Sequence, residues 1–141
     1  MSYEIIVVDF SGKHLVEEFL RNAGSSLDKF RYYRSRPVEA IKNHLVTLVA
    51  LKGKKAVGYG HLDSENGKIW LGTAIAEVEK GNGLGKMIVE RLITEANNKG
   101  VKTITLTVDN DNDAAIALYK KYDFVFSKKE NLISYYEKEI Q

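Results

Sequence analysis

The chain has 141 residues and a net charge of +2, from 21 Lys and Arg against 19 Asp and Glu. That length suits a single domain, residues 1–141, with a core large enough to fold unaided. The near balance of charges argues against a protein that binds nucleic acid through phosphate neutralisation. Because cysteine is absent, disulfide scaffolds, cysteine-ligated metals and a cysteine nucleophile are excluded.

The N-terminus and the apolar stretches argue against secretion and against membrane insertion. Residues 1–10 include Glu4 and Asp9, and they lack the basic start and apolar core of a signal peptide. The longest apolar stretch, residues 45–51, is interrupted by Thr47. It is far shorter than the roughly 20 residues that span a bilayer. We therefore expect a cytoplasmic protein that does not enter a membrane.

The first third of the chain predicts a strand followed by helical segments. Residues 4–9 are a β-branched run typical of a strand. Ser11 is placed to cap the helix that the apolar spacing of residues 15–20 predicts. Residues 27–44 favour helical pieces, interrupted at Pro37 because the residue before a proline disfavours helix.

Three short β-rich runs then follow one another closely. The predicted strands are residues 45–52, 55–62 and 68–76. Turns are predicted between them at residues 53–54 and 63–67. Such short connections predict an antiparallel meander.

The remainder of the chain alternates helices and strands. Apolar residues at helical spacing predict a helix that begins at Leu84 and is capped by Gly100. Residues 101–108 alternate as a strand, and the polar residues 109–113 can cap a helix over residues 115–122. The chain closes with two predicted strands, residues 124–127 and 132–138.

Three glycines at alternate positions, Gly81, Gly83 and Gly85, join a predicted strand to a predicted helix. Glycine lets backbone N–H groups turn towards an anion without a Cβ in the way. A helix start adds free N–H groups and the positive end of the helix dipole, and Lys80 and Lys86 add charge. The segment predicts a pyrophosphate site, although glycines serving only turn geometry are the simpler alternative.

Two other phosphate-binding loops fit the residues less well. A Walker A loop needs Ser or Thr after Gly-Lys, but Met87 follows Lys86. A dinucleotide-binding fold would explain Asp109 at the end of the next strand. Its glycine spacing is out of register, however, and the strands before the loop form a meander. A nicotinamide-nucleotide oxidoreductase is therefore kept only as an alternative.

A second motif lies downstream, where Asn112, Ala115 and Tyr119 form Asn-x-x-Ala-x-x-x-Tyr. Together with residues 80–85, Lys-Gly-Asn-Gly-Leu-Gly, it resembles the two signatures of the GNAT N-acetyltransferase superfamily. The first of these signatures is Arg/Gln-x-x-Gly-x-Gly/Ala, in which lysine here takes the first place. The resemblance covers residues 45–139.

The resemblance implies an α/β (α+β) fold with a mixed, mostly antiparallel sheet, splayed between its fourth and fifth strands and flanked by helices. It implies acetyl-CoA as the cosubstrate, lying in the splay, and no metal. Backbone groups near Ile75 and Glu77 would pair with the pantetheine, and the N–H near Ile75 would polarise the thioester carbonyl. Asn112 would bond the pantetheine or its loop. The implied cofactor-binding residues are Ile75, Glu77, Lys80, Gly81, Asn82, Gly83, Leu84, Gly85, Lys86 and Asn112.

The implied reaction moves an acetyl group to a primary amine by direct attack in a ternary complex. Tyr119 matches the family tyrosine that protonates the departing thiolate, whose reference pKa is about 8.5. The attacking amine must also lose a proton, which requires a base. The fourth strand has no carboxylate, so the base candidates are His61, Glu77, Glu79, Asp109 or a water relay, with both glutamates expected to be exposed. The missing carboxylate also motivates an alternative, a non-catalytic module that senses acyl-CoA.

The acceptor is open between small-molecule amines and protein amines. Arg31, Arg34 and Arg36 lie among aromatic residues within residues 30–37. They can hold an anionic planar group, although a solvated basic helix face is the simpler interpretation. The closing strands, residues 124–138, offer an edge through which a homodimer can form.

Overall fold

The structure is a computed structural model and describes residues 2–140. Seven strands form one sheet in the order β1-β2-β3-β4-β5-β7-β6. All neighbours run antiparallel except β4 and β5. The strands are β1 (Glu4–Val7), β2 (His44–Lys52), β3 (Lys55–Glu65), β4 (Lys68–Ile75), β5 (Thr103–Asp109), β6 (Val125–Glu130) and β7 (Ile133–Glu139). The predicted mixed, mostly antiparallel sheet is confirmed.

The sheet opens between β4 and β5. These two strands pair only at Ile69 with Ile104 and at Trp70 with Thr105. The β3–β4 ladder continues to Ile75. Strand β4 therefore extends beyond the point where its edge towards β5 is no longer paired. The predicted splay between the fourth and fifth strands is confirmed.

Helices cover both faces of the sheet. They are α1 (Lys13–Asn22), α2 (Leu84–Asn98) and α3 (Asp113–Lys121). Phe19 of α1 stacks on Tyr59 of β3, and we call this side the α1 face. On the opposite side, the α2 face, a Cβ at Gly60 would lie 2.6 Å from a side-chain atom of Ile88. Within residues 2–140, no helix is long and apolar enough to cross a bilayer.

The segment between α1 and β2 differs from the prediction in its type of helix. It forms short 3₁₀ helices at Gly24–Asp28, Tyr32–Arg34 and Val38–Asn43. Pro37 has extended backbone angles and separates the last two. The prediction that Ser11 caps α1 is wrong. Ser11 lies in a 3₁₀ turn before α1, and its N–H donates to the side chain of Asp9.

The β3–β4 hairpin is tighter than predicted. Strand β3 continues to Glu65, and the turn consists only of Asn66 and Gly67, with φ values of 55° and 77°. Two residues with positive φ form the turn that suits the twist of a hairpin. Asp63, which the sequence assigns to a turn, therefore lies inside the sheet opposite Trp70.

Two predicted helix caps are confirmed. Gly100 has a φ of 73°, and the N–H of Val101 donates to the carbonyl of Ala96 at 3.0 Å. This is the hydrogen bond of a helix that ends at a left-handed glycine. At α3, Asn112 Oδ1 accepts from the N–H of Ala115 at 3.3 Å, which fixes the start of that helix.

Candidate active site

A cavity of about 800 Å³ opens where β4 and β5 part. The N–H of Ala76 donates to the carbonyl of Val57 at 2.8 Å, in register with the β3–β4 ladder. Backbone groups along an antiparallel strand alternate in direction, so the N–H groups of Thr73 and Ile75 point away from β3. They face the gap, and Ser26 Oγ donates to the Ile75 carbonyl there at 2.5 Å.

The glycine loop, residues 80–85, lines this cavity. Gly81 and Gly83 have φ values of 84° and 83°, and no heavy atom lies within 4 Å of a Cβ built at either. Gly83 is the N-cap of α2, and no N-cap side chain accepts a hydrogen bond from the first N–H groups of this helix. The first turn of α2 also has no acidic residue. The first N–H groups of α2 and its dipole are therefore available to an anion. Lys80 and Lys86 are exposed and line the same cavity.

Not every predicted cofactor residue faces the cavity. The N–H of Glu77 donates to the carbonyl of Ala23 at 3.1 Å, and the Glu77 carbonyl accepts from Lys80 N–H at 3.3 Å. Asn82 directs its side-chain nitrogen to Glu79 Oε1 at 3.4 Å. Ile75, Leu84, Gly85 and Asn112 do line the cavity.

Tyr119 reaches the cavity from α3 on the α2 face of the sheet. Its hydroxyl lies 3.0 Å from Thr73 Oγ1, and only 7% of the residue is exposed. Burial raises the pKa of the Tyr119 hydroxyl, and the Thr73 hydrogen bond opposes this effect. The phenol therefore holds its proton at neutral pH and stands beside the backbone edge of β4.

His61 lies on the opposite, α1 face, directly across from Gly72. A Cβ at Gly72 would lie 2.5 Å from His61 Nε2. His61 Nδ1 is 2.7 Å from the hydroxyl of Tyr59, which is 2.7 Å from the hydroxyl of Tyr33. Burial lowers the pKa of His61 well below its usual value, so the imidazole is neutral at physiological pH.

A second polar cluster on the same face includes residues that the sequence analysis missed. Tyr32 donates its hydroxyl hydrogen to Asp63 Oδ2 at 2.7 Å and lies 2.8 Å from His44 Nε2. His44 Nδ1 is 2.8 Å from Thr47 Oγ1. Burial lowers the pKa of His44 to about 4, against the opposing charge of Asp63. The sequence signal for this cluster was a polar residue two positions after His61, because alternate residues of a strand lie on the same face of the sheet.

Two of the proposed bases have structural partners outside the cavity centre. Glu79 is buried, so the expectation that it is exposed is wrong. It accepts a hydrogen bond from Tyr3 at 2.6 Å and pairs with Lys52 at 3.1 Å, and the Tyr3 bond lowers its pKa. Glu77 is exposed as predicted and accepts from the N–H of Ser25 at 2.9 Å, which lowers its pKa.

Two of the three arginines near the 3₁₀ helices are in ion pairs. Arg31 holds Asp109 with two hydrogen bonds of 2.7 and 3.2 Å, and this contact lowers the pKa of Asp109. Arg36 pairs with Glu65 at 3.0 Å. Arg34 is exposed and does not line the cavity. Among residues 2–140, no group of three or more His, Asp or Glu side chains is arranged to hold a metal ion.

The splayed sheet, the glycine loop at its gap and the buried tyrosine define an acetyltransferase-type architecture. The model of the Acetyltransferase (GNAT) family matches residues 11–124, and the chain belongs to this family. The fold is also that of the PaiA N-acetyltransferase from Thermoplasma acidophilum, solved in complex with coenzyme A. That structure has a TM-score of 0.79 and 17% identity, with 99% of each chain covered.

Curated relatives match parts of the chain. The ribosomal protein bS18-alanine N-acetyltransferase of Salmonella typhimurium is 50% identical over 42 residues, 30% of this chain and 28% of the relative. The uncharacterized N-acetyltransferase ycf52 of Pyropia yezoensis is 31% identical over 93 residues, 61% of this chain and 51% of the relative. The chain thus spans about half or less of the length of these relatives.

Proposed function

We propose that the chain, acting as a single domain, is an acetyl-CoA-dependent N-acetyltransferase that acetylates a primary amine by direct attack in a ternary complex. One observation carries this proposal. The gap between β4 and β5 brings the N–H groups of Thr73 and Ile75, the open start of α2 and the Tyr119 hydroxyl to one cavity. Family membership supports the same class of activity.

The glycine loop and the edge of β4 would hold the cofactor. The free N–H groups at Gly83 to Lys86 suit the pyrophosphate, with Lys80 adding charge. The N–H of Ile75 suits the thioester carbonyl, because a fixed donor in a shielded cavity stabilises the oxyanion that forms during attack. Glu77 is left out of this cofactor site, since its N–H and carbonyl are both used within the chain.

Tyr119 is proposed as the acid that protonates the departing thiolate. The phenol is the proton donor in reach of the β4 edge on the α2 face, and its raised pKa keeps it protonated. A thiolate with a reference pKa of about 8.5 is basic enough to take up a proton as it forms. Thr73 orients the hydroxyl for this step.

His61 is proposed as the proton acceptor for the amine, directly or through one water molecule. Of the four candidates, Glu79 and Asp109 are in ion pairs and Glu77 is hydrogen-bonded to Ser25. His61 is neutral, and its Nε2 lies over Gly72 at the cavity. Its other ring nitrogen contacts Tyr59, which gives the proton a hydrogen-bonded route onward.

One alternative keeps the fold without the chemistry. Strand β4 has no carboxylate, which favours a non-catalytic module that senses acyl-CoA. A nicotinamide oxidoreductase built on the dinucleotide-binding fold, in contrast, has a mostly parallel sheet. The sheet here has a single parallel pair of strands among residues 2–140, which argues against that alternative.

Ligand-dependent melting tests the cofactor first. A ligand at about 100 times its Kd adds roughly 2.7 kcal/mol of stability, which for this length is a rise of several degrees in Tm. We expect the rise with acetyl-CoA and none with NAD or ATP. A rise with NAD alone would contradict the proposal.

Release of free thiol in the presence of a panel of amines then tests catalysis. Turnover with any amine supports the transferase. If acetyl-CoA raises Tm and no amine in a panel of small amines and peptides is acetylated, the sensor alternative is supported instead.

A further inference from the structure

The α1-face side of the cavity has one charge without a counter-charge. Lys29 pairs with Asp111, Arg31 with Asp109 and Arg36 with Glu65. Asp63 lines the same side, and in the part of the chain that the structure describes no Lys, Arg or His nitrogen forms an ion pair with it. The local excess charge next to the acceptor is therefore negative. Arg31 and Arg36, two of the three arginines that suggested an anionic acceptor, are neutralised within the chain.

The surroundings of Asp63 suit a cation. Asp63 as a residue is 6% exposed, and its Oδ2 accepts one hydrogen bond from Tyr32. Trp70, its partner across the sheet, and Phe30 also line the cavity. Aromatic faces and a carboxylate each attract an ammonium group. Both attractions are stronger in a shielded cavity than in water.

Asp63 stands away from the place of reaction. It follows His61 by two residues on the same face of β3, a separation of about 7 Å along a strand. The reacting nitrogen must reach the gap beside Gly72, where His61 lies. A carboxylate bound to that nitrogen would also keep it protonated, which opposes attack on the thioester. Asp63 is therefore better placed for a different nitrogen of the same substrate.

We propose that Asp63 binds a second, non-reacting ammonium group of the acceptor. The inference rests on the proposed function and defines its substrate class, a diamine with one uncharged reacting nitrogen and one charged nitrogen on the order of 7 Å away, the rise of two residues along a strand. Asp63 supplies the charge-assisted hydrogen bond, Tyr32 holds the carboxylate in place, and Trp70 offers an aromatic wall.

The test compares a linear diaminopentane, with amines at both ends, and hexylamine, in which a methyl group replaces one amine. For the wild type, we expect kcat/KM to be at least about tenfold higher for the diamine, the size of a shielded charged hydrogen bond. Asp63→Asn keeps an oxygen acceptor for Tyr32 and should remove this preference while hexylamine is still acetylated. Asp123→Asn, on an exposed residue outside the cavity and with a positive φ that asparagine also tolerates, is the matched control.

Equal use of the two amines by the wild type overturns the inference, as does an Asp63→Asn variant that keeps the diamine preference or loses both substrates equally. If Asp63→Asn does not fold, the wild-type preference is measured against salt, which should weaken it. If no amine is acetylated, the Tm of the CoA-saturated wild type is measured with each amine. The inference then requires a rise in Tm with the diamine and none with hexylamine. Failure of acetyl-CoA to bind defeats the proposed function itself, whereas turnover without a diamine preference defeats only this inference.

Discussion

The imidazole of His61 occupies the space that a side chain at Gly72 would fill, with Nε2 2.5 Å from the position of a Cβ there. The two residues are partners across β3 and β4, so their side-chain directions share one face of the sheet. The absence of a side chain at Gly72 lets the ring extend over β4 to the cavity. The proposed base is thereby brought close to the proposed cofactor edge, although β4 has no carboxylate.

Gly72→Ala should displace this ring. An added methyl group at such a distance forces a shift that typically costs about 1–3 kcal/mol of stability. Because the proposed base moves, kcat should fall by more than the loss of folded protein explains. Urea unfolding and steady-state kinetics on the same preparations measure the two effects.

Gly60→Ala is the matched control for Gly72→Ala. Its Cβ would lie 2.6 Å from Ile88 on the α2 face, so it overpacks the core to a similar degree without touching His61. We expect a comparable loss of stability and a kcat close to that of the wild type. Equal losses of kcat in the two variants would remove the case for His61.

Tyr119→Phe removes the proposed acid and keeps the ring in the core. General acid catalysis contributes about 10²-fold or more, so kcat should fall by at least that factor while the Kd of acetyl-CoA stays unchanged. Loss of the contact with Thr73 should cost only about 1 kcal/mol of stability. Since burial raises the pKa of Tyr119 above its ordinary value of 10.0, the midpoint of any alkaline decline of the wild-type kcat caused by this group should lie above pH 10.0.

Tyr122→Phe controls for the loss of a phenol from the same end of α3. Its hydroxyl donates to Glu90 at 2.7 Å and is not part of the cavity lining. Its kcat should match that of the wild type. A Tyr119→Phe variant with the same kcat as Tyr122→Phe would show that another group protonates the thiolate.

Gly83→Ala should weaken acetyl-CoA binding through the backbone. Its φ of 83° is costly for alanine, by about 1–2 kcal/mol, and relaxation of the loop would turn the N–H groups away from the pyrophosphate. Gly67→Ala at the β3–β4 turn shares the positive φ, at 77°, and the same open surroundings. Both variants should lose similar stability, but only Gly83→Ala should raise the Kd of acetyl-CoA in calorimetry. A similar Kd in both variants would contradict the assignment of the loop.

Features that depend on a few consecutive residues were predictable from the sequence. Gly100 ends α2 and Asn112 begins α3 because each makes its hydrogen bonds within about four residues. The mixed sheet and its opening between β4 and β5 were predicted from the resemblance carried by two motifs, the glycine loop and the Asn-x-x-Ala-x-x-x-Tyr segment. At both helix caps, the residue that the local hydrogen bonds favour is also the residue that the overall fold needs at that position.

Features that depend on distant partners were not predictable. Asp63 was assigned to a turn because polar residues cluster there, whereas the positive φ values of Asn66 and Gly67 move the turn beyond Glu65. Glu79 was expected to be exposed, but Tyr3, 76 residues away in the sequence, and Lys52 satisfy its carboxylate. Neither relationship has a sequence signature, since each is created by strand register and packing.

The buried histidines predict how stability depends on pH. His44 has a pKa of about 4 in the folded chain against an ordinary value of 6.5, because burial outweighs the attraction of Asp63, and Arg36 adds to the decrease. Between these values the unfolded chain binds more protons than the folded one, so stability rises with pH in this window. His61 acts in the same direction. The Tm should therefore fall progressively as the pH drops from about 6.5 towards 4.

Variants separate this effect from general acid denaturation. His44→Gln keeps side-chain hydrogen-bonding capacity near Tyr32 and Thr47 but cannot be protonated, so its Tm should decline less steeply between pH 6.5 and 4 than that of the wild type. His14→Gln, on an exposed position of α1, should leave the wild-type slope unchanged. Since protonation of the unfolded chain at residue 44 is expected to contribute to the effect, identical slopes for wild type and His44→Gln would show that His44 does not set the acid limit of this fold.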